Sequence, residues 1–196
     1  MGLSLSKGQS LSLTKTDGGH LTKVRMGLGW DSAAPVKRGF FGRAKAQEID
    51  LDASAIFFDA SGTVLDTVWF NQLASTDGST KHTGDNLTGA GDGDDETILV
   101  DLAAVSPVVS QIVFVISSYS GQTFDQVENA FCRLVDDSTA GSPEVARYEL
   151  TDSGPHTAMI MAKVSRSGSS WSFTAIGNRA NGRSVRDLLI PASLAL

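Results

Sequence analysis

Apolar residues in this chain recur at every second position in many short runs and seldom at every third or fourth, and that periodicity confines the fold to strands. Leu3-Ser4-Leu5 and Leu11-Ser12-Leu13-Thr14 alternate cleanly, and His20 to Leu28 reads as a strand closing on Gly27 and Gly29. Ala53 to Asp59 is a buried run ending at the turn Asp59-Ala60-Ser61-Gly62, with Thr63 to Phe70 as its hairpin partner or neighbour. Further strands are expected at Thr97–Leu102, Gln111–Tyr119, Asn129–Val135, Val145–Thr151, Thr157–Ser165 and Trp171–Ile176, the last two joined as a hairpin through Arg166–Ser170. Helix is confined to one turn at Thr123–Val127 and a short segment at Ser184–Leu189 capped by Ser184. Many short strands between glycine-rich turns describe an all-β sandwich of two mainly antiparallel sheets.

A length of 196 residues suits one such domain, residues 1–196, with a core large enough to need no staples. A single cysteine, Cys132, excludes an internal disulfide and a cysteine-rich zinc site, which agrees with a reducing compartment. No apolar stretch approaches the roughly 20 residues that span a bilayer, and the alternating start lacks a basic region ahead of an apolar block. The expected location is cytoplasmic, with the inner face of the membrane as the peripheral alternative.

The acids are unevenly distributed. Between Glu48 and Asp101 stand twelve acids and one base, Lys81, a net charge of −11, against +5 for the rest. Such a region repels phosphate backbones and attracts cations, so nucleic acid is not the expected partner. Five carboxylates, Asp85, Asp92, Asp94, Asp95 and Glu96, lie within twelve residues, interleaved with three glycines, preceded by Gly84 and with no base among them. Carboxylates packed about 4 to 6 Å apart disfavour one another unless a cation neutralises them. Calcium takes six to eight oxygens from carboxylates, amides and backbone carbonyls, and Asp85–Glu96 offers all three, with Asn86 and Gly91 among the donors. Magnesium, which keeps its waters, and zinc, which favours nitrogen and sulfur, fit less well; a solvated acidic turn is the bland alternative.

The segment is not an EF-hand: Leu87 stands at its third position and Ala90 at its sixth, between strands rather than helices. It occurs once, which excludes a calcium-binding β-helix. No nucleophile elbow, zinc-peptidase helix or phosphate-binding loop is present, so the chain reads as non-enzymatic. The alternative is a metal-dependent hydrolase using paired acids such as Asp94 and Asp95. His82 neighbours the acidic run and reads as a hydrogen-bonded histidine more readily than as a base, and Cys132 as a small core residue.

Five blocks together carry a resemblance: Gly27-Leu28-Gly29-Trp30-Asp31, Ile49-Asp50-Leu51-Asp52-Ala53-Ser54, Phe70-Asn71-Gln72-Leu73, Lys81-His82-Thr83 through Glu96, and Glu128-Asn129-Ala130-Phe131-Cys132-Arg133-Leu134-Val135. In order and spacing they resemble the TerD family of tellurium-resistance and stress-response proteins over nearly the whole chain, with Ala33–Ala46 inserted as in its TerZ-like branch. The resemblance implies a β-sandwich holding two calcium ions. Asp85–Glu96 cannot surround two ions alone, so Asp31, Asp50, Asp52 and Asn71 are the candidates that complete the shells. Asp50 and Asp52, two apart on a strand, leave on one face. The basic stretch Lys37, Arg38, Arg43 and Lys45, with Phe40 and Phe41, suits contact with a protein partner or an anionic membrane surface, or is a solvated loop.

Overall fold

The computed structural model describes residues 2–15, 18–32, 49–84 and 93–196. Over these residues the alternation becomes twelve strands: β1 (Leu3–Ser4), β2 (Ser10–Ser12), β3 (Lys23–Ser32), β4 (Leu51–Phe58), β5 (Val64–Val68), β6 (Thr80–His82), β7 (Glu96–Asp101), β8 (Gln111–Ser118), β9 (Val127–Asp136), β10 (Glu144–Glu149), β11 (Ala158–Ser167) and β12 (Ser170–Ala180). They form two six-stranded sheets, β1-β10-β9-β3-β7-β6 (sheet A) and β2-β12-β11-β8-β4-β5 (sheet B). Every neighbouring pair is antiparallel except β1 with β10.

Alternate side chains of the two sheets meet in the main core. Val24, Met26, Leu28 and Trp30 of β3 face Leu51, Ala53, Ala55 and Phe57 of β4 across this layer. The other face of sheet B is buried as well: Ile56, Phe58, Val113, Val115 and Ile160 lie under Val185, Leu188 and Ala192. That cover is a 3-10 turn, Val185–Leu188, running into a short helix α1, Leu189–Ser193. Asp187 steadies its start by accepting the Arg183 and Ser184 backbone N–H groups. Burial on both faces explains why β4 reads as a continuous apolar run where an exposed strand would alternate.

Two expectations need correction. The strand beginning near His20 does not close on Gly27 and Gly29; β3 runs through both to Ser32, because its outer face must stay clear for the chain returning at Gly93 (below). β6 was not anticipated, since three residues, Thr80-Lys81-His82, are too short for an alternation to declare itself. The expected pairing of Ala53–Asp59 with Thr63–Phe70 and the hairpin joining the last two strands are both present, the latter turning between Ser167 and Ser170. Thr123–Val127 is a single 3-10 turn, Phe124–Gln126.

The registers gather particular strand ends at one end of the sandwich. Glu96 at the start of β7 pairs with Leu28, Asp31 with Glu128, and Leu51 at the start of β4 with Ser118 at the end of β8. Trp30 and Glu96 stitch the sheets together there. The Trp30 Nε1–H donates to the Ile49 carbonyl at 2.9 Å, and Glu96 Oε2 accepts the Ala53 N–H at 2.6 Å.

Candidate functional site

Alternation along β3 accounts for the block Gly27-Leu28-Gly29-Trp30-Asp31. Leu28 and Trp30 point into the core, while Gly27 and Gly29 leave the outer face of sheet A bare. The chain at Gly93–Asp95 lies in that lane. A Cβ at Gly27 would stand 2.2 Å from the Asp94 carboxylate, and one at Gly29 2.4 Å from the Phe131 ring and 2.6 Å from the Gly93 carbonyl oxygen. Asp95 is fastened to β3 twice: its N–H donates to the Leu28 carbonyl at 2.7 Å, and its Oδ2 accepts the Trp30 N–H at 2.9 Å. Burial pushes the Asp95 carboxyl above its ordinary range, the Trp30 N–H opposes the rise, and the Asp31 and Asp94 carboxylates add to it. Fixed like charges of this kind are what a bound cation relieves.

Glu96, one residue on, points the other way into the layer between the sheets and is only 1 % exposed. Beside it His82 is buried, with Nε2 3.4 Å from Glu96 Oε2 and 3.2 Å from the Ala53 carbonyl. Its Nδ1 accepts the Gly84 N–H at 3.2 Å, so in the neutral ring Nε2 carries the proton. His82 is thus a hydrogen-bonded bridge that ties the chain leaving β6 to sheet B.

Asp50 and Asp52 share a face, as their spacing requires, but it is the outer face of sheet B, on the side of Ile56 and Phe58. Asp52 is 3 % exposed, and its cross-strand partner Ser117 is buried beside it. The Ser117 hydroxyl has no hydrogen-bond partner among the described residues. A buried orphan oxygen next to a buried carboxylate suits a hard cation, and no sequence pattern marks it because Ser117 lies inside an apolar strand.

Asp31 is exposed on the outer face of sheet A, where Asn129 Nδ2 donates to its Oδ2 at 2.8 Å. Asn71 is exposed at the tip of the turn bridged by Trp69 and Gln72. That turn belongs to the same end of the sandwich, since the Phe70 ring meets Tyr119 edge-on and the Tyr119 N–H donates to the Asp50 carbonyl at 3.3 Å.

The fold therefore places Asp31, Asp94 and Asp95 outside sheet A, Glu96 between the sheets, and Asp50 and Asp52 outside sheet B, all at one end. Among the described residues no three His, Cys, Asp or Glu side chains are arranged to hold a metal by themselves. Asp85, Asn86, Gly91 and Asp92, with the basic stretch Lys37–Lys45, lie outside the described residues. Asp94 and Asp95, the pair a hydrolase would draw on, turn to different partners, Arg133 and the Trp30 N–H. Cys132 is buried in β9, and burial pushes its thiol up to about 12, so it is a core residue rather than a reactive thiolate. Among the described residues no helix is long and apolar enough to cross a membrane.

The TerD domain model matches residues 1–189. The chain is 44% identical over 191 residues to tellurium resistance protein TerZ of Serratia marcescens, covering 95% of this chain and 94% of that one. It is 41% identical over 194 residues to general stress protein 16U of Bacillus subtilis (strain 168), covering 95% of each. A crystal structure of a homologue of telluride resistance protein (TerD) from Streptomyces coelicolor A3(2) superposes with a TM-score of 0.68 at 22% identity, covering 86% of this chain and 95% of that one, and shares its fold.

Proposed function

The chain belongs to the TerD family, and from that premise we propose that it is a non-enzymatic stress-response protein that binds calcium, two ions, at the acidic end of the sandwich. What supports the reading is the convergence of Asp31, Asp50, Asp52, Asp95 and Glu96 on the end where the connection between Gly84 and Gly93 begins and finishes. Donors stand on both outer faces and between the sheets, a spread that suits two ions better than one, with the orphan Ser117 hydroxyl beside Asp52 as an added neutral donor. Asp85, Asn86, Gly91 and Asp92 complete the set in sequence. Oxygen donors without thiolate suit calcium over zinc.

Calcium then acts by changing what the acidic end tolerates. Bare carboxylates repel an anionic surface, and two divalent ions supply four positive charges there. Lys37, Arg38, Arg43 and Lys45 bring four further positive charges in sequence. The partner is accordingly a protein or an anionic membrane surface engaged in calcium. The test is titration calorimetry with calcium, followed by sedimentation with vesicles containing anionic lipid, in calcium and in chelator. Heat of binding is expected. Vesicle association should rise with calcium, weaken with salt, and fall when the four basic residues are changed to Gln. Absence of calcium heat overturns the reading, and metal-dependent turnover of a phosphoester would replace it with the hydrolase.

A further inference from the structure

Arg133 stands 39 residues from Asp94 in sequence yet grips it. On β9, Arg133 is the cross-strand partner of Gly27, so its side chain rises from the outer face of sheet A beside the lane that the glycine leaves open. Its Nε donates to Asp94 Oδ1 at 2.7 Å and its Nη2 to Oδ2 at 3.1 Å, a two-pronged fork that occupies both carboxylate oxygens. The Asp94 side chain is largely buried in this pairing, and the ion pair holds the guanidinium above its ordinary pKa. Nη1 approaches Glu144 Oε2 at 3.4 Å, which fixes the guanidinium from the far side. The next residue, Asp95, makes the two hydrogen bonds to β3 described above.

The geometry points to Arg133 as a positioning residue for the calcium site, with Asp94 as the catch it holds and not as an ion ligand. Resting on the calcium reading, this divides the acids of the returning chain by role: Asp94 faces Arg133 across Gly27, while Asp95 is held against β3 with its carboxylate within reach of the Asp31 charge. At Gly84 the chain is tied back as well, its N–H donating to His82 Nδ1 at 3.2 Å. Backbone already fastened at Asp94 and Asp95 has less conformational freedom to lose when an ion binds beside it.

The sign of the effect separates this role from simple proximity. A cation near a calcium site repels the ion, so removing it should tighten binding if charge were all that mattered. Removing a latch should loosen binding, by about 10- to 100-fold for a residue that orients ligands. The experiment is calcium calorimetry on the full chain for the wild type, Arg133→Gln, Asp94→Asn, the double variant and Gly27→Ala. Gly27 has no positive φ, so alanine adds only a methyl group where the Asp94 carboxylate lies. The expected result is similar weakening in all four variants, the double being no weaker than the worse single. Tighter or unchanged binding in Arg133→Gln overturns the latch. So does a double variant whose loss is the product of the singles, which would make Asp94 a ligand in its own right.

Hydrogen exchange in chelator reads the latch without the metal. The Asp95 amide should lose protection in Arg133→Gln while the amides of β8 keep theirs, and equal protection at Asp95 overturns the proposal. A wild type that takes up no calcium, with this local loss still seen in Arg133→Gln, would refute the calcium reading and leave the latch standing.

Discussion

The buried side chain of His156 shows how one residue sets a response to pH. His156 is 4 % exposed, stacked on Phe124 with ring centroids 4.7 Å apart, and neither ring nitrogen has a hydrogen-bond partner among the described residues. Burial lowers its pKa below the ordinary 6.5, Arg179 pushes the same way, and Asp152 and Asp125 oppose both. The unfolded chain therefore binds this proton more readily than the folded one, so the contribution is complete above about pH 6.5 and is lost as pH falls below it. Urea midpoints of the wild type at pH 7.5 and 5.5 are expected to differ by more than those of His156→Phe, which keeps the stack and cannot charge. Identical differences would remove His156 from the account. At this scale the sequence said little, because a histidine between Pro155 and Thr157 carries no mark of burial.

Among the elements, strands were legible where an apolar face repeats over several residues and illegible where it does not. β8, β9 and β11 announce themselves through alternation or continuous apolar runs. Three-residue β6 cannot, and Gly27 and Gly29 look like strand ends when they are an outer face kept bare for another segment. The candidate site divides along the same line. Asp50 and Asp52 could be paired from their spacing, but no local pattern links Arg133 to Asp94, and the orphan Ser117 hydroxyl is visible only once β8 lies beside β4. The closing 3-10 turn was readable as helix within Ser184–Leu189, whereas α1 beyond it and the importance of the whole cover were not. Leu188 is fully buried in the outer core while Leu194, just beyond α1, is 83 % exposed. Leu188→Ala should cost about 2–5 kcal/mol by cavity formation, and Leu194→Ala less than about 0.5 kcal/mol. Denaturant unfolding of the two variants checks this, and equal losses would mean the cover is not part of the cooperative unit.

For the molecule as a whole, the metal reading has a thermodynamic signature. A ligand that binds only the native state stabilises it by about 2.7 kcal/mol at a hundredfold excess over its Kd, and each kcal/mol moves the melting midpoint by about 2–4 °C in a chain of this size. Chelation should therefore lower the midpoint by roughly 5–10 °C by differential scanning calorimetry. An unchanged trace would contradict calcium as a ligand of the native state. The loss should begin at the acidic end, where Trp30–Ile49 and Glu96–Ala53 join the sheets. The cover over sheet B has a consequence for biosynthesis. Residues 185–192 follow every strand, so a newly made chain whose two sheets are already paired still presents Ile56, Phe58, Val113 and Val115 to its surroundings until that segment docks. The interval before that docking is the one in which this sandwich is most prone to stick to its neighbours.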